Sequence, residues 1–247
     1  MEIRLWTAAE RPELISAAET MSTASYPPYM HYDPVALECW SVLYSDRLAR
    51  YQTIAVDEAG AVAAYGNAVP FVWPEGEDLP DDGWDAVLRG GAADSQGSRR
   101  ANALSALSIA VSPAHRGSAL ADRMLQAMKD AAIASGLSAL VAPVRPTRKS
   151  YYPLQSFDEY CRWRQPDGAP FDPWVRKHWR MGARIVKPAP RSMRIPGTVA
   201  EWQEWTGLRF PVSGAYFFEG GLAPLQVDIE VDQALYVEPN LWMQHQL

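Results

Sequence analysis

Cysteine is nearly absent from this chain of 247 residues, with only Cys39 and Cys161 present. Two cysteines without metal-ligand spacing exclude a zinc framework and a disulfide scaffold, so both read as reduced and structural, and neither as a nucleophile. Long hydrophobic runs are missing too. The stretch from Leu137 to Val144 is broken by Ser138 and Pro143, far below the roughly 20 apolar residues of a membrane-spanning helix. Met1-Glu2-Ile3-Arg4-Leu5 has no basic start followed by an apolar core, so no secretory signal is expected and the expected location is the cytoplasm. A general excess of basic charge is lacking: the formal charge of −6 argues against a general nucleic-acid binder, which needs Lys and Arg to displace counterions. Repeats and low-complexity tracts are absent, and 48% apolar residues suffice for a sizeable core.

The charge is uneven. Between Arg145 and Arg194 twelve Lys or Arg stand against four Asp or Glu, a local +8 that leaves −14 elsewhere. Most of these cations read as a solvated face. The apolar spacing predicts a strand over Ile3–Trp6, helices over Pro12–Met21 and Pro34–Tyr51 with Asp33 as N-cap, and a hairpin of Thr53–Val56 with Ala61–Val69. Residues 74–100, rich in Gly, Asp and Pro, read as an inserted loop with one short helix. Leu104–Val111 alternates as a strand, Ser118–Ser135 carries Leu120, Met124 and Met128 on one stripe of a helix, and Leu137–Val144 is a strand of buried type.

Val111 to Met124 reads V-S-P-A-H-R-G-S-A-L-A-D-R-M and places small residues where a strand becomes a helix. The first helical N–H groups lack intrahelical partners and sit at the positive end of the helix dipole, so this turn suits a pyrophosphate. The segment resembles the acetyl-CoA signature of the GNAT superfamily, written as Gln or Arg, two residues, Gly, one residue, then Gly or Ala. Arg116, Ala119 and Ala121 occupy its fixed positions, Ala119 departing from the usual Gly. The resemblance implies an α/β (α+β) GNAT fold, with a central mixed, mostly antiparallel sheet, splayed parallel strands and flanking helices. It further implies a cofactor site of Ile109, Val111, Arg116, Gly117, Ser118, Ala119, Leu120 and Ala121, with acetyl-CoA or another acyl-CoA as co-substrate and no metal.

Phe171–Val186 reads as a helix closed by Gly182 and followed by a strand. In GNAT enzymes this helix often carries a Tyr four residues before its closing Gly, placed to protonate the departing CoA thiolate; His178 holds that spacing. The stretch also resembles the His-containing helix of GNAT-like decarboxylase and S-acyltransferase domains of polyketide assembly lines, in which that His is catalytic. Imidazole is suited to acid or base work near neutrality, so His178 is the expected catalytic residue. Those domains use a Thr on the preceding strand, where this chain has Arg145, with Thr147 two residues on, and a later Arg that Arg194 matches loosely. Arg145, Thr147, Arg148, Lys149 and Arg194 are thus expected substrate or phosphate contacts.

The expected organisation is a GNAT core over residues 1–194 and a C-terminal extension over 195–247 that completes the same domain, as in larger bacterial GNAT proteins. The expected function is transfer of an acetyl or other acyl group from CoA to a small-molecule amine. The alternatives are a carrier-protein thioester or aminoacyl-tRNA as donor or acceptor, and a non-catalytic acyl-CoA-binding module. A homodimer is compatible with the chain, and no membrane partner is expected.

Overall fold

Strand β1 (Arg4–Thr7) leads into helices α1 (Ile15–Thr23) and α2 (Pro34–Cys39), strands β2 (Thr53–Val56) and β3 (Val62–Phe71), helix α3 (Gly83–Gln96), strand β4 (Ala103–Val111), helix α4 (Leu120–Ala134) and strand β5 (Ala139–Val144). Then follow α5 (Phe157–Arg162), α6 (Pro173–Arg180), β6 (Ala183–Gly197), α7 (Val199–Thr206), β7 (Gly214–Tyr216), β8 (Leu225–Asp228) and β9 (Gln233–His245). This is a computed structural model that describes residues 2–247; Met1, the first residue of the stretch read for a targeting signal, lies outside them. Among the described residues no helix is long and apolar enough to cross a membrane.

The strands form one sheet in the order β1-β2-β3-β4-β5-β9-β8-β7, with β6 also paired to β9. Among the described residues only β4 and β5 run parallel. Helix α4 lies on this sheet through Leu120, Met124, Leu125, Met128 and Ala132, all buried at helical spacing. Burying each of the larger of these side chains favours the fold by about 1.5–3 kcal/mol before ordering entropy is charged against it. The helix stops where Gly136 takes φ +66° and the Leu137 N–H reaches back to Ala132 O at 3.0 Å, a Schellman closure.

Two expectations need correcting. Pro34–Tyr51 is not one helix: α2 ends at Cys39 and tighter turns over Trp40–Tyr44 and Ala49–Tyr51 follow. The tight turn sets the Trp40 Nε1 3.1 Å from the Tyr44 hydroxyl. The predicted loop over 74–100 contains the 14-residue helix α3, whose Trp84, Val87, Leu88 and Ala92 are buried, so it is part of the core wall rather than a lid. Gly91, a turn signal in the sequence, marks close packing instead: a Cβ there would lie 2.3 Å from Val69 Cγ2 and 2.9 Å from Pro70 O.

Helices α2 and α3 are joined by two buried carboxyl groups. Asp33 caps α2, accepting from Ala36 N at 2.9 Å, and its carboxyl group stands close to that of Asp85 of α3. Burial first, and then the charge of Asp33, pushes the Asp85 carboxyl up to about 8, so the pair shares one proton. Asp33 Oδ2 and Asp85 Oδ1 are otherwise unpartnered. The folded pKa of Asp85 is raised, so its contribution is fully present below the unfolded carboxylate value and fades as pH rises through about 8. Between pH 6.5 and 8 the wild type is expected to lose stability on the order of 1 kcal/mol per pH unit. Urea denaturation across that interval checks this, and Asp85→Asn is expected to flatten the slope.

Candidate active site

Strands β4 and β5 pair only from Ala103 to Ser105 against Ala139 to Val141. Beyond that they part, and a cleft of about 960 Å³ opens between them. The parting coincides with a bulge at Leu107, where the register with β3 slips between Asn67 and Ala68. The indole of Trp84 pins the bulge by donating to the Leu107 carbonyl at 3.0 Å. Leu107, Ile109 and Val111 line one wall, Ala142, Pro143 and Val144 the other, and residues of α1, α2 and α6 close the sides.

The turn after β4 stands at one end of the cleft. Gly117 has φ +79° and nothing within 4 Å of where a Cβ would stand, so the glycine serves backbone shape and leaves open space. The N–H groups of Gly117, Ala119 and Ala121 have no hydrogen-bond partner among the described residues, while the Leu120 N–H is taken by Ser118 Oγ at 3.2 Å. Free N–H groups at a helix start, next to the exposed Arg116, fit a pyrophosphate. Ala119 has φ −75° and ψ 11°, a backbone that any residue adopts, so its methyl brings no strain where the related signature has Gly. Arg116, Gly117, Ser118 and Ala121 line the cleft. Leu120 is corrected: it is buried in the core, so its side chain cannot meet a cofactor.

Helix α6 delivers His178. Asp172 caps its start, accepting from Trp174 N at 2.9 Å and Val175 N at 3.2 Å, and is itself held by the Tyr160 hydroxyl at 2.8 Å. The ring of Trp174 packs edge-on against that of His178, with centroids 4.8 Å apart. His178 lines the cleft, is 2% exposed, and has an unpartnered Nε2. Its Nδ1 lies 3.0 Å from Nε2 of His245, near the end of β9. Burial, then the neighbouring His245 and Lys177, pulls His178 down to about 3, and burial with Lys129 pulls His245 down to about 4. Both rings are therefore neutral at pH 7, and one proton is shared between them.

The basic residues divide. Arg145 lines the cleft; its Nε meets both Glu238 oxygens at 2.9 and 3.0 Å, and its Nη2 donates to the Tyr29 hydroxyl at 3.1 Å and to the Gly220 carbonyl at 2.5 Å. Burial works against its charge, but Glu238 and Tyr29 hold it protonated more firmly than usual. Its Nη1 has no partner among the described residues. Thr147 also lines the cleft. Lys149, Arg148 and Arg194 are corrected. Lys149 is buried with Nζ on the Tyr152 carbonyl at 2.9 Å; Arg148 is exposed and off the cleft wall; Arg194 lines a separate hollow with Asp85 and Arg89. Much of the basic stretch is spent internally, Lys177 on Asp122, Lys187 on Asp81, and Arg176 on the Pro170 and Phe171 carbonyls.

Several cleft residues carried no sequence signal. Tyr26 lies against Ser108 and the Ile109 amide, and burial raises its hydroxyl pKa. Glu19 of α1 accepts from Trp40 Nε1 at 3.2 Å and from the Tyr44 hydroxyl. Trp40 stacks near-parallel on Trp84 with centroids 6.0 Å apart. His245, off the cleft wall, sits behind His178.

The chain is 35% identical to the arginine N-acetyltransferase avaD of Aspergillus versicolor, over 98% of this chain and 93% of that protein. Its fold is shared by the loading GNATL domain of CurA from Lyngbya majuscula, with a TM-score of 0.63 at 15% identity, covering 100% of this chain and 98% of that one. The GphF GNAT-like decarboxylase in complex with isobutyryl-CoA gives 0.58 at 17% identity, covering 100% and 99%. These two likenesses concern the fold alone. No family model matches the chain.

Proposed function

Because this chain belongs to the GNAT superfamily and is an acyl-CoA-dependent N-acyltransferase of a small-molecule amine, we propose that its donor is acetyl-CoA and its acceptor free arginine. Similarity along nearly the whole length of an arginine N-acetyltransferase carries this reading. The cleft supports it: Arg145 Nη1, on the wall and without a partner among the described residues, is a donor for an amino-acid carboxylate.

Arg116 and the amides of Gly117, Ala119 and Ala121 hold the pyrophosphate, and Ile109 and Val111 line the pantetheine arm. Bound acetyl-CoA supplies the activated acyl group. His178 is neutral, with Nδ1–H donated to His245 Nε2 and Nε2 left without a partner on the residue that lines the cleft. It accepts a proton from the acceptor amine as the nitrogen–acyl bond forms, and returns it to the sulfur as the carbon–sulfur bond breaks. His245 acts through His178 as a positioning residue, selecting the tautomer in which Nε2 carries the free lone pair.

Incubating the purified protein with acetyl-CoA and a panel of amines, with thiol release and product mass followed, is expected to give N-acetylarginine with kcat/KM at least about 10-fold above that for other amino acids, in line with sites that hydrogen-bond their substrate. Acetylation of another small amine with arginine untouched would replace the acceptor and keep the activity.

A further inference from the structure

Glu19 is a carboxylate whose charge is uncompensated. It is half-buried on the cleft wall, and no Lys, Arg or His is paired with it among the described residues. Its partners are neutral donors, the Trp40 indole at 3.2 and 3.3 Å and the Tyr44 hydroxyl. Tyr44 is kept protonated by burial, then by Tyr65 and Glu19, and its hydroxyl is braced from behind by that of Tyr65 at 3.1 Å. Two donors therefore fix the carboxylate's orientation without cancelling its charge, an arrangement that costs desolvation unless a cation arrives. The neighbouring walls are the π-faced side chains of Trp40, Tyr44 and Trp84, which favour a cation electrostatically.

We infer that Glu19, Trp40 and Tyr44 form the subsite that takes the guanidinium of the acceptor. This rests on the reading of the chain as an arginine N-acetyltransferase. A guanidinium is planar, presents forked donors to a carboxylate and stacks on aromatic faces, whereas an ammonium offers a point charge only. Trp40 and Trp84 are the two ring systems between Glu19 and the Leu107 carbonyl at the splay. A guanidinium on Glu19 thus directs the other end of the amino acid toward the splayed strands, so the α-amine is the nitrogen acetylated.

The test compares wild type, Glu19→Gln and Tyr44→Phe with L-arginine, L-citrulline and L-lysine as acceptors, and measures L-arginine binding by calorimetry. Citrulline keeps the shape of arginine without its charge. Wild type is expected to prefer arginine over citrulline by about 30-fold or more in kcat/KM. Glu19→Gln is expected to lose that preference through KM for arginine, with citrulline changed less than about threefold and acetyl-CoA affinity retained. Tyr44→Phe, which keeps the ring, is expected to lose about 3- to 10-fold for arginine alone and serves if Glu19→Gln does not fold. Equal loss for arginine and citrulline in both variants would reduce Glu19 to a structural role and overturn the inference. Equal wild-type turnover of lysine and arginine would overturn its guanidinium part. Where no amine is turned over, calorimetry separates the two readings: arginine bound by wild type and not by Glu19→Gln keeps the subsite while the function fails, and no binding overturns both.

Discussion

Replacing His178 with phenylalanine is expected to lower kcat about 10²- to 10⁴-fold, the usual range for a positioned proton-transfer group. Acetyl-CoA affinity measured by calorimetry is expected to remain, because the pyrophosphate turn belongs to α4 and not to α6. The ring of Phe occupies much the same volume against Trp174 and leaves His245 without its partner, at a stability cost of about 1–3 kcal/mol. The pH profile distinguishes a base that is already neutral from a resident acid. With its folded value pulled to about 3, His178 is unprotonated throughout the neutral range. No inflection near pH 6.5 is therefore expected in kcat, and the acid limb of kcat/KM belongs to the acceptor amine. A wild-type kcat that rises as pH falls through 6.5 would return His178 to the role of a resident proton donor.

The second large effect is expected at Gly117. Its φ of +79° is a conformation that a β-branched side chain resists, so Gly117→Val reshapes the turn and turns its free amides away from the phosphates. Acetyl-CoA Kd is expected to rise about 100-fold, and in Arg116→Ala about 10-fold, as for the loss of a hydrogen bond to a charged group. Ala119→Gly is the informative control. Ala119 already has φ −75°, so restoring the commoner residue is expected to leave Kd within about twofold. Tighter binding in Ala119→Gly would show that the methyl, and not the backbone, limits the site.

Which parts were legible in advance follows from the range of the interactions. Helix α4 and its flanking strands announced themselves because apolar periodicity, a Gly stop and the Arg-Gly-Ser-Ala turn are local properties of adjacent residues. His178 was legible through its spacing to Gly182. Helix α3 was legible only as one short helix within a loop, since its glycines imitate a loop; Gly91 is needed where the helix presses on Val69 and Pro70, a contact between segments about twenty residues apart. Lys149 looked like a ligand contact because a cation near a predicted strand end does not reveal which way it turns, and Arg194 because it loosely matches an Arg of the resembling domains. Burial claimed Lys149, and Arg194 lines a different hollow.

By itself the sequence determined the fold class, the strand-turn-helix that carries Arg116 and Gly117, and the helix bearing His178, all written in residues within one element or one turn. Only the tertiary structure decided what surrounds them. It brought Glu238 from β9 under Arg145, His245 behind His178, and Glu19 from α1 beside Trp40 and Tyr44. These pairings join residues 93, 67 and 21 positions apart. Chain periodicity carries no record of such distances; the pairings exist because the packed sheet and helices bring these polar groups together, and buried polar groups find hydrogen-bond partners where they are buried.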